Sequence, residues 1–231
     1  MAMDALVQGL LRRWRRQRRR RTVGRAYDMA LEISNVIPKR ATVLDVGCGN
    51  GFIAHHLAGM RRASVIGIDV SQTTDARIPY LRYDGRHFPV RDQTFDVVLL
   101  CYVLHHAQNC SLVLAEIRRV MKSGGLIVVY EDMPSGGWNQ AVCWAHDRKW
   151  RERSGPCTFR LASGWRRMFQ AEGFHVVYER QLSRWRNLAH PVSRNLFILE
   201  LSETNPQISQ ITQITERDDA YPLLIPQPDH S

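Results

Sequence analysis

The chain has no apolar run near the roughly 18–20 residues that a membrane-spanning helix requires, which argues against an integral membrane role. Cysteines are few, five in 231 residues, and none forms a C-x-x-C pair. A disulfide framework is therefore not expected, whereas a reduced, cytosolic setting is. The N-terminus lacks the order of a secretory signal, because its arginines follow its apolar residues instead of preceding them. Acidic residues are missing from 12–21, where eight arginines stand. No domain-scale repeat is present.

What remains has the composition of an ordinary soluble protein, with 44% hydrophobic and 23% charged residues and a net charge of +10. The length allows one α/β domain with a sizeable core, plus appendages. The charge is unevenly placed. Residues 22–137 carry 12 basic and 11 acidic side chains, residues 138–195 carry 11 and 4, and residues 196–231 sum to −5. Basicity is thus confined to an N-terminal arm and a later segment, and the net charge alone does not argue for nucleic acid.

Strands are predicted near 42–46, 65–69, 80–83, 95–100, 125–131, 174–181 and 195–201. Helices are predicted near 25–35, 51–59, 110–121, 138–152 and 163–172, with Gly124-Gly125 stopping the third of these and opening the next strand. This alternation implies a parallel sheet with helices on both faces. Three parts follow: an arm over 1–24, a domain over 25–201 and a flexible tail over 202–231 rich in Pro and polar residues. In the arm, Val7, Leu10, Leu11 and Trp14 recur at helical spacing. The arm reads as a solvated extension, as an interfacial helix resting on anionic lipid, as a nucleic-acid contact or as an Arg-rich transit segment.

The chemistry concentrates at strand ends. Residues 42–51, TVLDVGCGNG, run from an apolar strand into a turn in which Asp45, Gly47, Gly49 and Gly51 form D-x-G-x-G-x-G. A dinucleotide turn instead spaces its glycines G-x-G-x-x-G around a pyrophosphate. Here the third glycine comes one residue early, and the carboxylate of Asp45 would repel a pyrophosphate but suit a cation. A second strand ends at Asp69-Val70, 22 residues after Gly47, where a carboxylate can accept both hydroxyls of a ribose. A third ends at Tyr83-Asp84-Gly85, where the acid can accept from an adenine amino group. A fourth runs 95–104 into His105-His106. His55-His56, after the glycine turn, does not by itself make a metal site.

In these elements the chain resembles the class I S-adenosylmethionine (SAM)-dependent methyltransferases, in their broad small-molecule branch. The matching stretches are VLDVGCGNG (43–51), GIDVS (67–71), YDGRHFPVRDQTFDVVLLCYVLHH (83–106) and EIRRVMKSGGLIVVYED (116–132), with a weaker one over 159–177. The resemblance implies a Rossmann-like, seven-stranded, mostly parallel sheet whose last strand is antiparallel. It also implies SAM as cofactor. Asp45, Gly47, Gly49 and Gly51 would line its methionine part, and Asp69 with Val70 its ribose. Asp84 with Gly85 would take the adenine, and Cys101 would contribute a backbone carbonyl. One departure is the stretch between Asp69 and Asp84, which is short and has no helical period where many relatives have a helix.

Methyl transfer from a sulfonium asks the protein for alignment, exclusion of water and sometimes a base. His105 and His106 are the candidates, since a neutral imidazole can take a hydroxyl proton. Some relatives bind a metal through acids in this segment. Here Tyr102 and His105 stand in their place, so no metal is expected. The segment 133–165 is read as covering the acceptor, with Trp138, Trp144, Trp150, Phe159 and Trp165 among basic residues. Such a lining suits a small lipophilic or anionic acceptor. The alternatives are an RNA methyltransferase and a non-catalytic SAM-binding protein. The expected setting is cytoplasmic, with the arm at an anionic membrane surface.

Overall fold

The computed structural model describes residues 2–71, 74–186 and 190–201. Seven strands, β1 (Thr42–Val46), β2 (Ser64–Asp69), β3 (Tyr80–Arg82), β4 (Phe95–Cys101), β5 (Met121–Asp132), β6 (Phe174–Leu182) and β7 (Arg194–Leu201), form one sheet in the order β3-β2-β1-β4-β5-β7-β6. The pairings from β3 through β5 are parallel, and β7 runs antiparallel to both of its neighbours. The strands match those that the sequence pattern predicts, and the seven-stranded sheet with its reversed last strand is the one that the resemblance implies.

The central strands are almost continuously apolar because both faces are covered. On one face Leu44, Val46, Val98, Leu100, Ile127 and Val129 pack with α3 (Cys110–Val120) and with α5 (Ala162–Ala171), through Trp165 and Phe169. On the other, Val43, Val97, Leu99 and Val128 pack with α2 (Phe52–Arg61) and with Ala30 and Ile33 of α1 (Ala2–Ser34). Two helices were expected within 3–35, whereas α1 is continuous through that span and crosses the arm boundary at 24. Its C-terminal half is anchored, with Val23 and Ala26 meeting Phe52 and Ala76. Arg16 and Arg18 to Arg21 are exposed. The tail at 202–231 lies outside the described residues.

One boundary differs from expectation. Val120 ends α3 and Met121 already belongs to β5, so Gly124-Gly125 lies inside the strand. There the register jumps from Phe95↔Met121 to Val97↔Leu126, a bulge. Asp96 stabilises it by accepting from the Thr42 amide (2.7 Å) and from Lys122 Nζ (2.8 Å). Between β2 and β3 the described residues contain no helix. Instead the Ala76 amide donates to Asn50 O (3.0 Å), folding 74–78 over the start of α2.

Candidate active site

Because β1, β2, β4 and β5 are parallel, their carboxyl ends share one edge of the sheet. The chain leaves β1 for β2 and β3 on one side and returns to β4 on the other, making this edge a topological switch point where open α/β sheets hold ligands. Asp45, Asp69 and Cys101 sit at or near the ends of β1, β2 and β4, and Gly47, Gly49 and Gly51 form the turn into α2.

The turn is tied to the end of β2. The amides of Gly47 and Cys48 donate to Ile68 O (2.8 and 3.1 Å), and the Gly49 amide donates to Asp69 Oδ2 (2.8 Å). Gly49 has φ +52°, and a Cβ there would meet no atom within 4 Å, so backbone lies open at this point. Gly47 is required for a different reason: a Cβ would lie 2.6 Å from Val103 Cγ2. Asp69 also accepts from the Ser71 amide at Oδ1 (2.8 Å). Each of its carboxylate oxygens keeps a second lone pair.

Asp45 is buried, and burial first, then the charge of Asp69, pushes its carboxyl up to about 8. An acid in such a position is neutral at pH 7 unless a cation joins it. Asp84 is placed differently. It is exposed, and its Oδ1 accepts from the amides of Arg86 and His87 (both 2.8 Å), which hold its carboxyl below the usual range. Val70 is exposed beside Gly85, where a Cβ would touch Val70 Cγ1 at 3.5 Å.

The segment after β4 is built on a residue to which the sequence reading gave no role, Glu131 of β5. Tyr102 turns the chain with φ +61°, a conformation that costs a non-glycine residue about 1–3 kcal/mol and clusters at functional sites. The turn aims the Val103 and Leu104 amides at Glu131 Oε1 (3.0 and 2.7 Å), while Oε2 meets His105 Nδ1 at 2.5 Å. Glu131 and His105 are both wholly buried. Burial disfavours the His105 imidazolium, but the charge and hydrogen bond of Glu131 overcome this and raise its pKa. The ring stacks on Phe159 with centroids 4.6 Å apart, and His105 Nε2 is buried with no hydrogen-bond partner. Through Val103, this assembly touches the glycine turn directly.

His106 lies beside it. Its Nε2 is 3.1 Å from Nε2 of His146, on α4 (Gly136–Ser154), and its Nδ1 is 3.1 Å from Ser154 Oγ and 3.3 Å from Cys157 Sγ. Burial, with neighbouring histidines, lowers both His106 and His146 to about 4. The aromatic residues of 133–165 divide. Trp150 and Phe159 border the histidines, Trp165 is buried on Phe169, and Trp138 and Trp144 are exposed at 58% and 63%. His146 was missed because its signal is one polar residue in a tryptophan-rich helix, visible only once α4 is laid over the end of β4.

The profile of the methyltransferase domain family matches residues 44–129. The chain is 30% identical over 113 residues to a sterol 24-C-methyltransferase of Schizosaccharomyces pombe, covering 43% of this chain and 30% of that one. It is 34% identical over 116 residues to a demethylmenaquinone methyltransferase of Bacillus licheniformis, covering 45% and 50%. The matches thus span half or less of these curated relatives. Among solved structures, a SAM-dependent methyltransferase from Aquifex aeolicus superposes with a TM-score of 0.57 at 16% identity, covering 76% and 89%. The [4+2]-cyclase SpnF superposes at 0.60 with 20% identity, covering 77% and 81%. At such identities the solved structures report the fold alone. The D-x-G-x-G-x-G turn, the acid at the end of β2 and this sheet order thus stand in a chain whose residues 44–129 match the methyltransferase domain family and which is similar to the class I SAM-dependent methyltransferases, whose cofactor is S-adenosyl-L-methionine.

Proposed function

We propose that the protein is an enzyme that transfers a methyl group from SAM to a small, lipophilic or anionic acceptor. The observation that carries this reading is the contact of the glycine turn, through Val103, with a buried histidine oriented by Glu131. A cofactor edge and a polar acceptor edge thus meet. The residues fit the cofactor on three counts. Backbone is open at Gly49, Asp45 is a buried acid suited to a cation, and Asp69 retains lone pairs for hydroxyl groups. In this reading Gly47, Gly49 and Gly51 with Asp45 hold the methionine part, Asp69 and Val70 the ribose, Asp84 and Gly85 the adenine edge, and Cys101 supplies a carbonyl.

Bound SAM would supply an electrophilic methyl on a sulfonium. The chain's own residues do the rest. Glu131 accepts at His105 Nδ1, which leaves a lone pair at Nε2 able to receive an acceptor proton. His106 is held neutral and offers a second acceptor nitrogen. Phe159 and Trp150 exclude water from the histidines, and the segment 133–165 covers the acceptor. The named relatives act on a sterol and a demethylmenaquinone, which supports a lipophilic acceptor here.

Calorimetric titration with SAM, followed by labelled methyl transfer over lipid, phenol, amine and RNA pools, tests the reading. Binding with transfer to a lipid or phenol is expected. No binding ends it, binding without transfer makes the protein a non-catalytic SAM binder, and transfer to RNA makes it an RNA methyltransferase. Asp69→Ala should weaken SAM by about 1.5–3 kcal/mol, the loss of a charged hydrogen bond; unchanged affinity would remove its ribose role.

The exposed arginines of α1 support a second element of the proposal, a cytoplasmic enzyme resting on anionic membrane. The described helices contain none long and apolar enough to cross a membrane, so attachment would be peripheral. Full-length protein should float with phosphatidylserine vesicles and lose that flotation in 0.5 M salt or without residues 1–21. Equal flotation of both forms would remove the arm's role.

A further inference from the structure

We propose that His105, His106 and His146 form a binding site for one divalent transition-metal ion of the zinc type. The three histidines come from two separate elements, the segment after β4 and α4, and each offers a ligand atom within 4.8 Å of the others. His106 Nε2 and His146 Nε2 are 3.1 Å apart. Two imidazoles bound to one tetrahedral zinc place their nitrogens roughly 3.3 Å apart.

The strongest indication is at His105. Its Nδ1 is bound to a fully buried carboxylate, and that carboxylate is itself fixed by two backbone amides. A carboxylate holding the far nitrogen of a ligand histidine is the usual outer arrangement of a zinc site, because it sets the tautomer and raises ligand basicity. The other nitrogen, Nε2, is buried with no hydrogen-bond partner. A buried polar atom without a partner calls for an explanation, and a metal ion in place of a proton is one. His106 has a comparable outer contact, from Nδ1 to Ser154 Oγ.

The donor set selects the ion. Three imidazoles suit zinc, cobalt, nickel or copper, whereas magnesium and calcium require oxygen ligands. Three protein ligands leave a fourth position for water or for an oxygen of the acceptor, the pattern of catalytic and not structural zinc. The sequence expectation of no metal concerned missing acids after the fourth strand, and His146 had no part in it. Metal binding here does not rest on methyl transfer.

The test uses tag-free, chelator-treated full-length protein titrated with Co2+ by visible absorbance and with Zn2+ by calorimetry. One equivalent should bind, with the absorbance of a four-coordinate cobalt ion. His146→Ala and His106→Gln should each weaken binding about 100-fold or more, and Glu131→Gln about 10–100-fold, while His55→Gln leaves it unchanged. Circular dichroism and SAM binding report whether each variant is folded. Absence of stoichiometric binding, or equal affinity in wild type, His146→Ala and His106→Gln, overturns the site. Zinc binding without SAM binding would leave this site standing and remove the methyl-transfer reading instead.

Discussion

Asp45→Asn is expected to stabilise the cofactor-free protein and, at the same time, to weaken SAM binding. The carboxyl of Asp45 is raised from 3.8 to about 8, first by burial and then by Asp69. An acid with a raised pKa ionises in the unfolded chain before it ionises in the fold. Stability is therefore unaffected well below pH 4, falls as the pH climbs from about 4 towards 8, and levels off above that. At pH 7 the accumulated cost is on the order of 3–4 kcal/mol. Asparagine resembles the protonated acid and removes most of it, so Tm without cofactor should rise by about 5–10 °C. With SAM the sign reverses. A cationic group beside Asp45 favours its ionised form, so binding near pH 7 should expel a proton. Calorimetry in buffers of different ionisation enthalpy measures this directly, and affinity should rise between pH 6 and 7. In Asp45→Asn both effects should vanish. A variant with unchanged Tm and unchanged proton release would show that Asp45 only shapes the turn.

Glu131→Ala should have the largest effect on the acceptor side. Glu131 accepts from two amides and one imidazole, all without access to water. Removing it leaves three buried donors without partners, at a cost of about 3–5 kcal/mol. A drop in Tm of about 10 °C is expected by scanning calorimetry. Methyl transfer should fall at least about 100-fold, because His105 loses its fixed tautomer. Glu131→Gln retains shape and one acceptor oxygen, and should fall between wild type and alanine on both measures. A change in Tm of under 2 °C with transfer retained would assign the segment after β4 no structural or catalytic dependence on β5.

Much of the architecture was readable in one dimension. Buried parallel strands such as VVLL in β4 advertise themselves as apolar runs, and the acids at their ends stand out against those runs. The bulge at Gly124-Gly125 did not, because a glycine pair reads equally well as a helix stop or as a strand irregularity. Only the pairing of β5 with β4 and the room taken by Asp96 and Lys122 distinguish the two. The tryptophans of 133–165 share one composition but have three fates: buried in Trp165, bordering the histidines in Trp150, and exposed in Trp138 and Trp144. Composition carries no information on which side of a helix meets the sheet.

The sequence by itself determined the strands and their parallel pairing, because those depend on local periodicity, and its resemblance to a known family supplied the reversed last strand and the cofactor class; the order of the strands across the sheet was settled only in the tertiary structure. The acceptor side was decided in three dimensions. Glu131 lies 26 residues from His105, and His146 lies 40 residues from His106. Such pairs have no local signature, since a buried hydrogen bond depends on the directions of two side chains that the sheet and α4 bring together.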